Sequence, residues 1–302
     1  MTASKISPLI ITPPRRTLRQ NMRFVRRNFS GIVGLTIVVL VVLCAIFADQ
    51  IALYPPVSGD LMESRLPPAW MERGTWSHPL GTDQLGQDIF SRIVYGSRVS
   101  VTVGFFGAFL AMIIGLTAGL LAGYERGIID TVFSSLVNVL LSIPYVVLVI
   151  VVATIFGRSL INVILIFGVT NSPIFFRVAR GETMRLKNEE YVQAAFSLGA
   201  TRTRIIFYHL IPNMLGMIIT LATFEMSAMI IYESGLSFLG LSVPPSVPSW
   251  GNMLSLGRQF LTIFPWMAVY PGLAIVITSM GINFLGERVR ELLDPRMNNM
   301  GL

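Results

Sequence analysis

Lysine, histidine and cysteine are all scarce in this 302-residue chain, and each scarcity limits what the protein can do. The only lysines, Lys5 and Lys187, follow a serine and a leucine, so no Gly-Lys-Ser/Thr loop is present to bind nucleotide phosphates. We therefore expect no ATP hydrolysis by this chain itself. Cys44, the single cysteine, excludes an intramolecular disulfide and is expected to be a small apolar side chain within a hydrophobic run.

Charged residues are also scarce, at 13% of the chain, whereas hydrophobic residues make up 53%. Crossing the hydrocarbon core of a membrane takes about 20 predominantly apolar residues. Six stretches with at most one charged residue approach or exceed that length: residues 31–48, 99–124, 131–157, 159–176, 214–232 and a part of 259–286. The sequence thus predicts an all-α polytopic membrane protein with six transmembrane helices.

These stretches divide the chain into five predicted segments. Residues 1–30 form an N-terminal tail whose arginine-rich part lies as a helix on the membrane surface, and residues 31–48 form the first transmembrane helix. Residues 49–97, rich in Pro, Gly and charge, form a long connection that contains a second interfacial helix. Residues 98–286 contain the other five transmembrane helices, and residues 287–302 form a C-terminal tail.

Basic residues decide the predicted orientation, since cytoplasmic loops of membrane proteins carry an excess of Lys and Arg. If the N-terminus lies inside the cell, few basic residues fall outside: Arg65, Arg73, Arg92, Arg98, Arg158 and Arg258. Both termini are therefore predicted to be cytoplasmic, and residues 49–97 extracytoplasmic. This distribution explains the net charge of +7, so we expect membrane lipid and no nucleic acid among the partners.

A compact polar block between Glu189 and Asn213 separates two of the hydrophobic stretches. Glu189 and Glu190 suit the partial positive charge at a helix start, and Gly199 can take the left-handed conformation that ends a helix. A second helix follows, and Pro212 lies where the next span begins. The pattern predicts a helix, a glycine stop, a second helix and a proline exit, on the cytoplasmic side.

This block resembles the coupling loop, or Glu-Ala-Ala motif, of ABC-importer permeases. The family pattern is Glu-Ala-Ala, three residues, Gly, nine residues, Ile, any residue and Leu-Pro. Gln193 replaces the glutamate, and His209 and Ile211 replace the isoleucine and leucine. The resemblance implies that the first helix sits in a cleft of a cytoplasmic ATPase subunit and transmits its closure to the membrane helices. The implied coupling residues are Glu190, Tyr191, Ala194, Ala195, Gly199 and Pro212.

Residues 81–98 are similar to a second signature, from the peptide-transport branch of the same family: Gly-Thr-Asp-x-x-Gly-Arg-Asp-x-x-Ser-Arg followed by Gly-x-Arg. Gln87 stands where that branch usually has arginine. We expect Thr82 or Asp83 to cap a helix that Asp88 and Arg92, four residues apart, support. This helix is predicted to rest on the bilayer surface before the second span.

An enzyme interpretation of the same stretch would use His78, Asp83 and Asp88 as a metal or acid/base cluster. The spacing does not place three ligands on one surface, and the chain has only one other histidine. We therefore expect no catalytic residue and no metal site.

Over about residues 20–297, the resemblance implies the C-type permease subunit of a dipeptide/oligopeptide importer, with the type I ABC importer permease fold and a cytoplasmic coupling helix. Residues 98–286 would be its permease core, in a prokaryotic cytoplasmic membrane. The implied partners are a homologous permease, which forms a heterodimer with this chain, two cytoplasmic ABC ATPase subunits, and an extracytoplasmic substrate-binding protein. ATP and Mg would be bound by the ATPase subunits, and no cofactor by this chain.

Two alternatives remain beside peptide import. Permeases of the same architecture import nickel chelates, metallophores or glutathione and share nearly all of these motifs. From a different class, an ion-coupled secondary transporter is possible, because such proteins often carry acids near the middle of the membrane.

Glu225 is the only acid that we place well inside a span, and it is open to two interpretations. It can line the substrate path and attract a cation or a peptide amino group, or it can be a protonated or hydrogen-bonded glutamate between helices. The glycines of the second span, among them Gly115 and Gly119, are spaced to permit close approach of another helix.

Overall fold

The computed structural model describes residues 29–293, so the predicted interfacial helix before Phe29 and most of the C-terminal tail lie outside the described residues. The described part is helical apart from its connections, with two isolated β-bridges in residues 59–88. Its helices are α1 Phe29–Ile46, α2 Ala48–Ile51, α3 Ile89–Glu125, α4 Gly127–Ser142, α5 Tyr145–Phe156, α6 Leu160–Lys187, α7 Glu190–Ser197, α8 Arg202–Ile205, α9 Ile211–Phe238, α10 Trp250–Gly257 and α11 Trp266–Leu293. Short 3-10 turns occupy Leu61–Glu63 and Arg258–Phe260, and Ile206–Leu210 is a π-helical turn.

Five continuous helices among these residues are long and apolar enough to cross a membrane. They are α1, α3, α6, the joined α8–α9 segment Arg202–Phe238, and α11. The predicted count of six is confirmed when the bent pair α4 and α5 is taken as one span.

That third span is not the straight helix that residues 131–157 predict. α4 and α5 meet at a bend of 92°. Ile143 at the bend is extended, with a ψ of 131°, and Pro144 precedes the first residue of α5. A residue before proline is disfavoured in the helical conformation, and proline cannot donate the backbone hydrogen bond that would continue α4. The run carries no charged residue, but this one proline breaks it.

The centre of the bundle is a parallel pair, α3 and α6. Three glycines of α3, spaced four residues apart, face α6. A Cβ atom at Gly119 would lie 2.7 Å from the Phe176 carbonyl oxygen, and one at Gly123 would lie 2.8 Å from the Arg180 carbonyl oxygen. Gly115 contacts the backbone at Ser172 in the same way. The predicted close approach of another helix at Gly115 and Gly119 is therefore confirmed, and that helix is α6.

The remaining long helices pack antiparallel to their neighbours. Gly216 near the start of α9 lies against Leu293 at the end of α11, and Gly31 near the start of α1 lies against Arg288. Both ends of the described chain therefore lie at the same end of the bundle as the coupling loop, residues 189–213. We call this the loop end, and we call the opposite end, which carries residues 52–88 and 239–265, the far end.

The start of α3 differs from its prediction. Asp88, and neither Thr82 nor Asp83, caps the helix, because its Oδ2 accepts a hydrogen bond of 2.7 Å from the Ser91 backbone N–H. The Thr82 hydroxyl instead accepts from the backbone N–H of Leu66, which shapes the preceding loop. α3 then continues unbroken to Glu125, so the expected surface helix and the second span are one helix of 37 residues.

Candidate functional site

The coupling loop begins with the short helix α7, and Gly199 ends it as predicted. Gly199 has a φ of +83°. Its N–H donates to the Phe196 carbonyl at 3.0 Å, and the Ala200 N–H donates to the Ala195 carbonyl at 3.1 Å. This pair of bonds is the Schellman motif, which requires a left-handed residue after the helix. The reversal of the chain is therefore fixed by backbone geometry at one glycine.

α7 lies on the bundle by one buried side chain and exposes most of the rest. Val192 is buried in a cluster with Leu186, Ile205 and Leu210. Several large apolar side chains of the loop are exposed: Tyr191, Phe196, Leu198, Phe207 and Tyr208. Leu198 has 89% of its surface exposed. Partial desolvation against the bundle raises the pKa of the Tyr191 phenol, and the charge of Glu189 adds to the effect.

The six residues that are predicted to couple this chain to the ATPase differ in how far they are exposed. Glu190, Ala194 and Gly199 are exposed, and Ala195 is half-buried. Tyr191 is exposed, and Pro212 is exposed at the second residue of α9. The structure thus gathers five of the six on α7 and its C-terminal turn, with Pro212 on the helix that leaves the loop.

Pro212 is the second residue of α9, so the next span begins where the sequence predicts, but no break separates it from the second helix of the loop. Thr201 caps α8 by accepting a hydrogen bond from the Arg204 N–H, and the chain then runs through a π-helical turn into α9 without a break. Because Pro212 has no N–H, the carbonyl of Tyr208 loses its normal helical donor, and a widened turn just before it accommodates the proline ring. Arg202 to Phe238 is one rod that connects the loop with the membrane bundle.

Charged contacts link the loop to α3 and α6. The Arg202 guanidinium lies 2.9 Å from a Glu125 carboxylate oxygen at the end of α3. Arg185 of α6 pairs with Glu189 just before α7 at 2.9 Å. Beside these contacts, the Lys187 ammonium at the end of α6 donates to the Tyr124 carbonyl of α3 at 2.6 Å, which ties the two helices to each other. Such exposed pairs contribute little stability individually, but together they join the loop to both helices of the central pair.

Glu225 lies in a polar and aromatic cluster that α5, α6 and α9 form just beyond the α4–α5 bend. Its Oε2 is buried and has no hydrogen-bond partner within residues 29–293. Tyr145, the first residue of α5, packs on the same hydrophobic core as Leu221, Ala222 and Met226, which are near neighbours of Glu225 on α9. The Asn171 amide donates to the Tyr145 hydroxyl at 3.0 Å, and the Tyr145 and Tyr232 rings are 4.8 Å apart between centroids. Both interpretations of Glu225 therefore stay open, because the cluster is polar and its acid is unpaired.

A second acid, Glu233, is buried more deeply than Glu225, and the sequence did not reveal it because the predicted fifth span ends at residue 232. α9 continues to Phe238, so Glu233 is inside this helix and fully buried. Its Oε1 accepts hydrogen bonds from the Ser237 hydroxyl at 2.6 Å and the Ser242 hydroxyl at 3.0 Å. The available signal was the serine four residues after the glutamate, which places both on one helix face.

His78, Asp83 and Asp88, the residues of the enzyme interpretation, do not form one cluster but belong to two separate contacts at the far end. His78 lies between carboxylates, with Nδ1 3.0 Å from Asp88 and Nε2 3.2 Å from Glu63. Asp83 instead forms an ion pair with Arg92 at 2.5 Å. This ion pair takes the place of the one that was expected between Asp88 and Arg92. Across residues 29–293, no group of three or more His, Cys, Asp or Glu side chains is placed to hold a metal ion.

Gln87 has a specific role at the position where the resembling family usually has arginine. Its side-chain carbonyl accepts a hydrogen bond from Arg92, and its amide donates to the Val57 carbonyl at 3.0 Å. A second arginine at this position could not accept from Arg92. The substitution therefore gives Arg92 an acceptor in addition to Asp83.

Comparisons with known proteins agree with this architecture. Residues 115–299 match the family of binding-protein-dependent transport system inner membrane components, and residues 17–68 match the N-terminal transmembrane domain of oligopeptide transport permease C. A chain of the MetNI methionine ABC transporter, solved in inward-facing conformations, superimposes with a TM-score of 0.56 at 20% identity. The match covers 68% of this chain and 98% of that one, and it shows a shared fold.

Similar curated proteins extend over nearly the whole chain. The dipeptide transport system permease protein DppC of Alkalihalophilus pseudofirmus is 37% identical over 96% of this chain and 92% of its own length. DppC of Haemophilus influenzae is 36% identical over 94% of this chain and 96% of its own length. The glutathione transport system permease protein GsiD of Pectobacterium atrosepticum is 36% identical over 92% of this chain and 90% of its own length.

Proposed function

Because the chain belongs to the family of binding-protein-dependent transport system inner membrane components, we propose that it is the permease subunit of an ATP-driven importer of di- or oligopeptides. Relatives named as dipeptide or oligopeptide permeases support this cargo. The same degree of identity to a glutathione permease keeps glutathione as the second candidate. In either case this chain supplies part of the translocation path, and other subunits supply energy and cargo.

The exposed coupling helix carries the proposal. α7 presents an apolar surface at the loop end although it is only eight residues long. Aromatic and leucine side chains that are left exposed in a group mark a protein contact. ATPase subunits that bind this surface would pull on a loop that is joined to α3 and α6 by ion pairs and to α9 by continuous helix.

The proposed mechanism is alternating access. ATP binding closes two cytoplasmic ATPase subunits, which hold ATP and Mg, and the coupling loops follow them. The motion reaches the membrane through the rod Arg202–Phe238, so that this permease and its homologue open toward an extracytoplasmic binding protein. Hydrolysis returns the path to the inward-open state.

The proposed orientation places the loop end in the cytoplasm of a prokaryotic cell, with both chain termini on the same side. The basic residues that flank the spans support this choice. Residues 52–88 and 239–265 would then face the binding protein at the far end.

The proposed heterodimer contact involves the bent pair α4 and α5. Val137 is the only buried residue that α4 contributes, and its exposed side chains include Ile128, Val132 and Val139. A homologous permease can cover such a surface, as can lipid. The bend at Pro144 places the cluster around Glu225 beside this surface, which suits a path formed between two subunits.

Crosslinking tests the coupling assignment directly. Cys44 is the only cysteine, so Cys44→Ser gives a cysteine-free background for single-cysteine variants. Ala195→Cys is expected to crosslink to the ATPase in the assembled complex and to change its yield with ATP. Met62→Cys is the control, because it is 92% exposed at the far end and should never reach the ATPase. Capture of the ATPase by Met62→Cys alone would contradict both the coupling role and the orientation.

The cargo is tested by uptake into proteoliposomes that contain the complete transporter. Labelled dipeptide, oligopeptide and glutathione are each supplied with the binding protein, with and without ATP. We expect ATP-dependent uptake of peptides. Uptake that persists without ATP but collapses with an ion gradient would favour the secondary-transporter alternative instead.

A further inference from the structure

A polar cleft of about 450 Å³ separates α4 from α6 near the loop end. Its lining combines two arginines and two neutral polar side chains with a small apolar surface: Arg177, Arg180, Ser134, Asn138, Val137 and Phe176. No acid belongs to this lining. The cleft is therefore electropositive, and it is separate from the coupling loop and from the cluster around Glu225.

One of the two arginines is already neutralised. Arg180 forms a two-point ion pair with Asp130 of α4, with Nε–Oδ1 and NH2–Oδ2 distances of 2.5 Å and 2.7 Å. The Ser134 hydroxyl donates to the same carboxylate at 3.0 Å. The Asp130 carboxylate therefore binds Arg180 and Ser134, and it does not neutralise the charge of the second arginine in the cleft.

Arg177 has no such partner. Its side chain is exposed to the cleft and makes no hydrogen bond or ion pair with any residue between 29 and 293. Asn138, which faces the cleft from α4, is likewise without a side-chain hydrogen bond to those residues. Arg177 lies three residues before Arg180 on α6, about 4.5 Å further from the loop end.

Arg177 lies on α6 just past the predicted span 159–176, and an unpaired arginine at the edge of a span is favoured where it faces a cavity or a partner. Here it faces a cavity, which is wide enough for a ligand group. A guanidinium presents its donors in a planar fork that fits carboxylate and phosphate oxygens, and a neighbouring amide can donate one further hydrogen bond.

We propose that the α4–α6 cleft is an oxyanion site, in which Arg177 and Asn138 bind a carboxylate or phosphate group. The group can come from the C-terminal carboxylate of a transported peptide or from an anionic lipid headgroup at the loop end. If the anion belongs to a transported peptide, the inference rests on the proposed function. If it belongs to a lipid, the inference is independent of that function.

The cargo arm compares a dipeptide that has a free carboxylate with its C-terminal amide in the reconstituted transporter. Arg177→Gln is expected to raise KM for the free peptide about tenfold, which corresponds to the loss of one charge-assisted contact. The amide should show no change. Arg177→Lys should restore part of the difference, and Arg158→Gln, at the far end, serves as a control for loss of an exposed arginine.

The lipid arm uses the purified complex in nanodiscs of phosphatidylglycerol or phosphatidylcholine. If lipid occupies the cleft, native mass spectrometry will show several-fold less retained phosphatidylglycerol in Arg177→Gln than in wild type, while peptide KM stays unchanged. Either selective loss supports the site and identifies the source of the anion. If Arg177→Gln matches Arg158→Gln in both arms, the proposal is overturned. Failure of the proposed function would instead appear as absent ATP-dependent peptide uptake in wild type, and lipid retention alone would then decide the site.

Discussion

Gly199 illustrates how one residue controls the direction of the coupling loop. Its φ of +83° belongs to the left-handed region, which costs other L-residues about 1–2 kcal/mol. Apart from its two chain neighbours, no residue between 29 and 293 has an atom within 4 Å of a Cβ built there, so space does not restrict the position. The requirement for glycine is therefore conformational, and it comes from the two backbone hydrogen bonds that end α7.

Gly199→Val is expected to lower both peptide uptake and stimulated ATPase activity while leaving membrane insertion intact. The β-branched side chain disfavours the left-handed conformation, so α7 loses its fixed end and its angle to the rod. Gly199→Asn should be milder, because asparagine tolerates this conformation. Gly181→Val is a control for an open glycine with an ordinary helical backbone. Normal coupling in Gly199→Val would contradict a role for this turn.

Glu225→Gln distinguishes the two interpretations of the acid in the membrane. The substitution keeps size and hydrogen-bonding capacity but removes the possible negative charge. If Glu225 attracts the amino group of a peptide, uptake of peptides with a free amino terminus should fall several-fold, whereas N-acetylated peptides are unaffected. If it is a neutral glutamate between helices, both uptake rates should equal those of wild type. Transport rates for the matched pair of peptides decide between these outcomes.

The elements show which parts of the fold follow from sequence alone. Charge-free runs locate the spans, because the membrane requires apolar length whatever the packing. The bend between α4 and α5 was missed, since a single proline in an uncharged run carries the only signal. The cap of α3 was misplaced because Thr82, Asp83 and Asp88 are all good capping residues. Contacts across the loop decide among them, because Thr82 accepts from Leu66 and Asp83 pairs with Arg92, which leaves Asp88 as the cap.

The site follows the same division. Gly199 was predicted because a left-handed helix end is a local property. Glu233 was not found, since its burial depends on where α9 ends and on Ser242, nine residues away. Arg177 carries no local signal that separates it from the basic residues which flank every span. Only the three-dimensional structure shows that Asp130 pairs with Arg180 and that Arg177 faces the cleft without a partner among residues 29–293.

The central helix pair allows a prediction about packing. Gly119→Ala would place a methyl group 2.7 Å from the Phe176 carbonyl oxygen and 2.8 Å from the Ala179 side chain. Neither backbone can retreat without separating α3 from α6, so we expect a destabilisation of about 1–3 kcal/mol. The thermal unfolding temperature of the purified complex should fall accordingly. Gly181→Ala should leave it unchanged or raise it, because within residues 29–293 only the backbone of α6 itself lies near that position.

In the whole molecule, the coupling loop has two routes into the bundle. One is covalent, through the continuous rod Arg202–Phe238. The other is electrostatic, through Glu125 and Arg202, which joins the start of the rod to the end of α3. Since α3 packs along its whole second half on α6, a displacement passed to α3 would move the central pair together with α9. The covalent route alone would move α9 against them.

A charge-swap series tests whether the electrostatic route contributes. Glu125→Arg and Arg202→Glu should each reduce peptide uptake, by up to about fivefold, because an exposed pair is worth at most about 1 kcal/mol. ATPase activity should decline less than uptake, since the nucleotide sites are untouched and only transmission is weakened. The double variant restores opposite charges in reversed order, so uptake should recover and its response to high salt should return. If the double variant is as poor as the worse single variant, Glu125 and Arg202 act separately, and motion reaches the bundle through the rod alone.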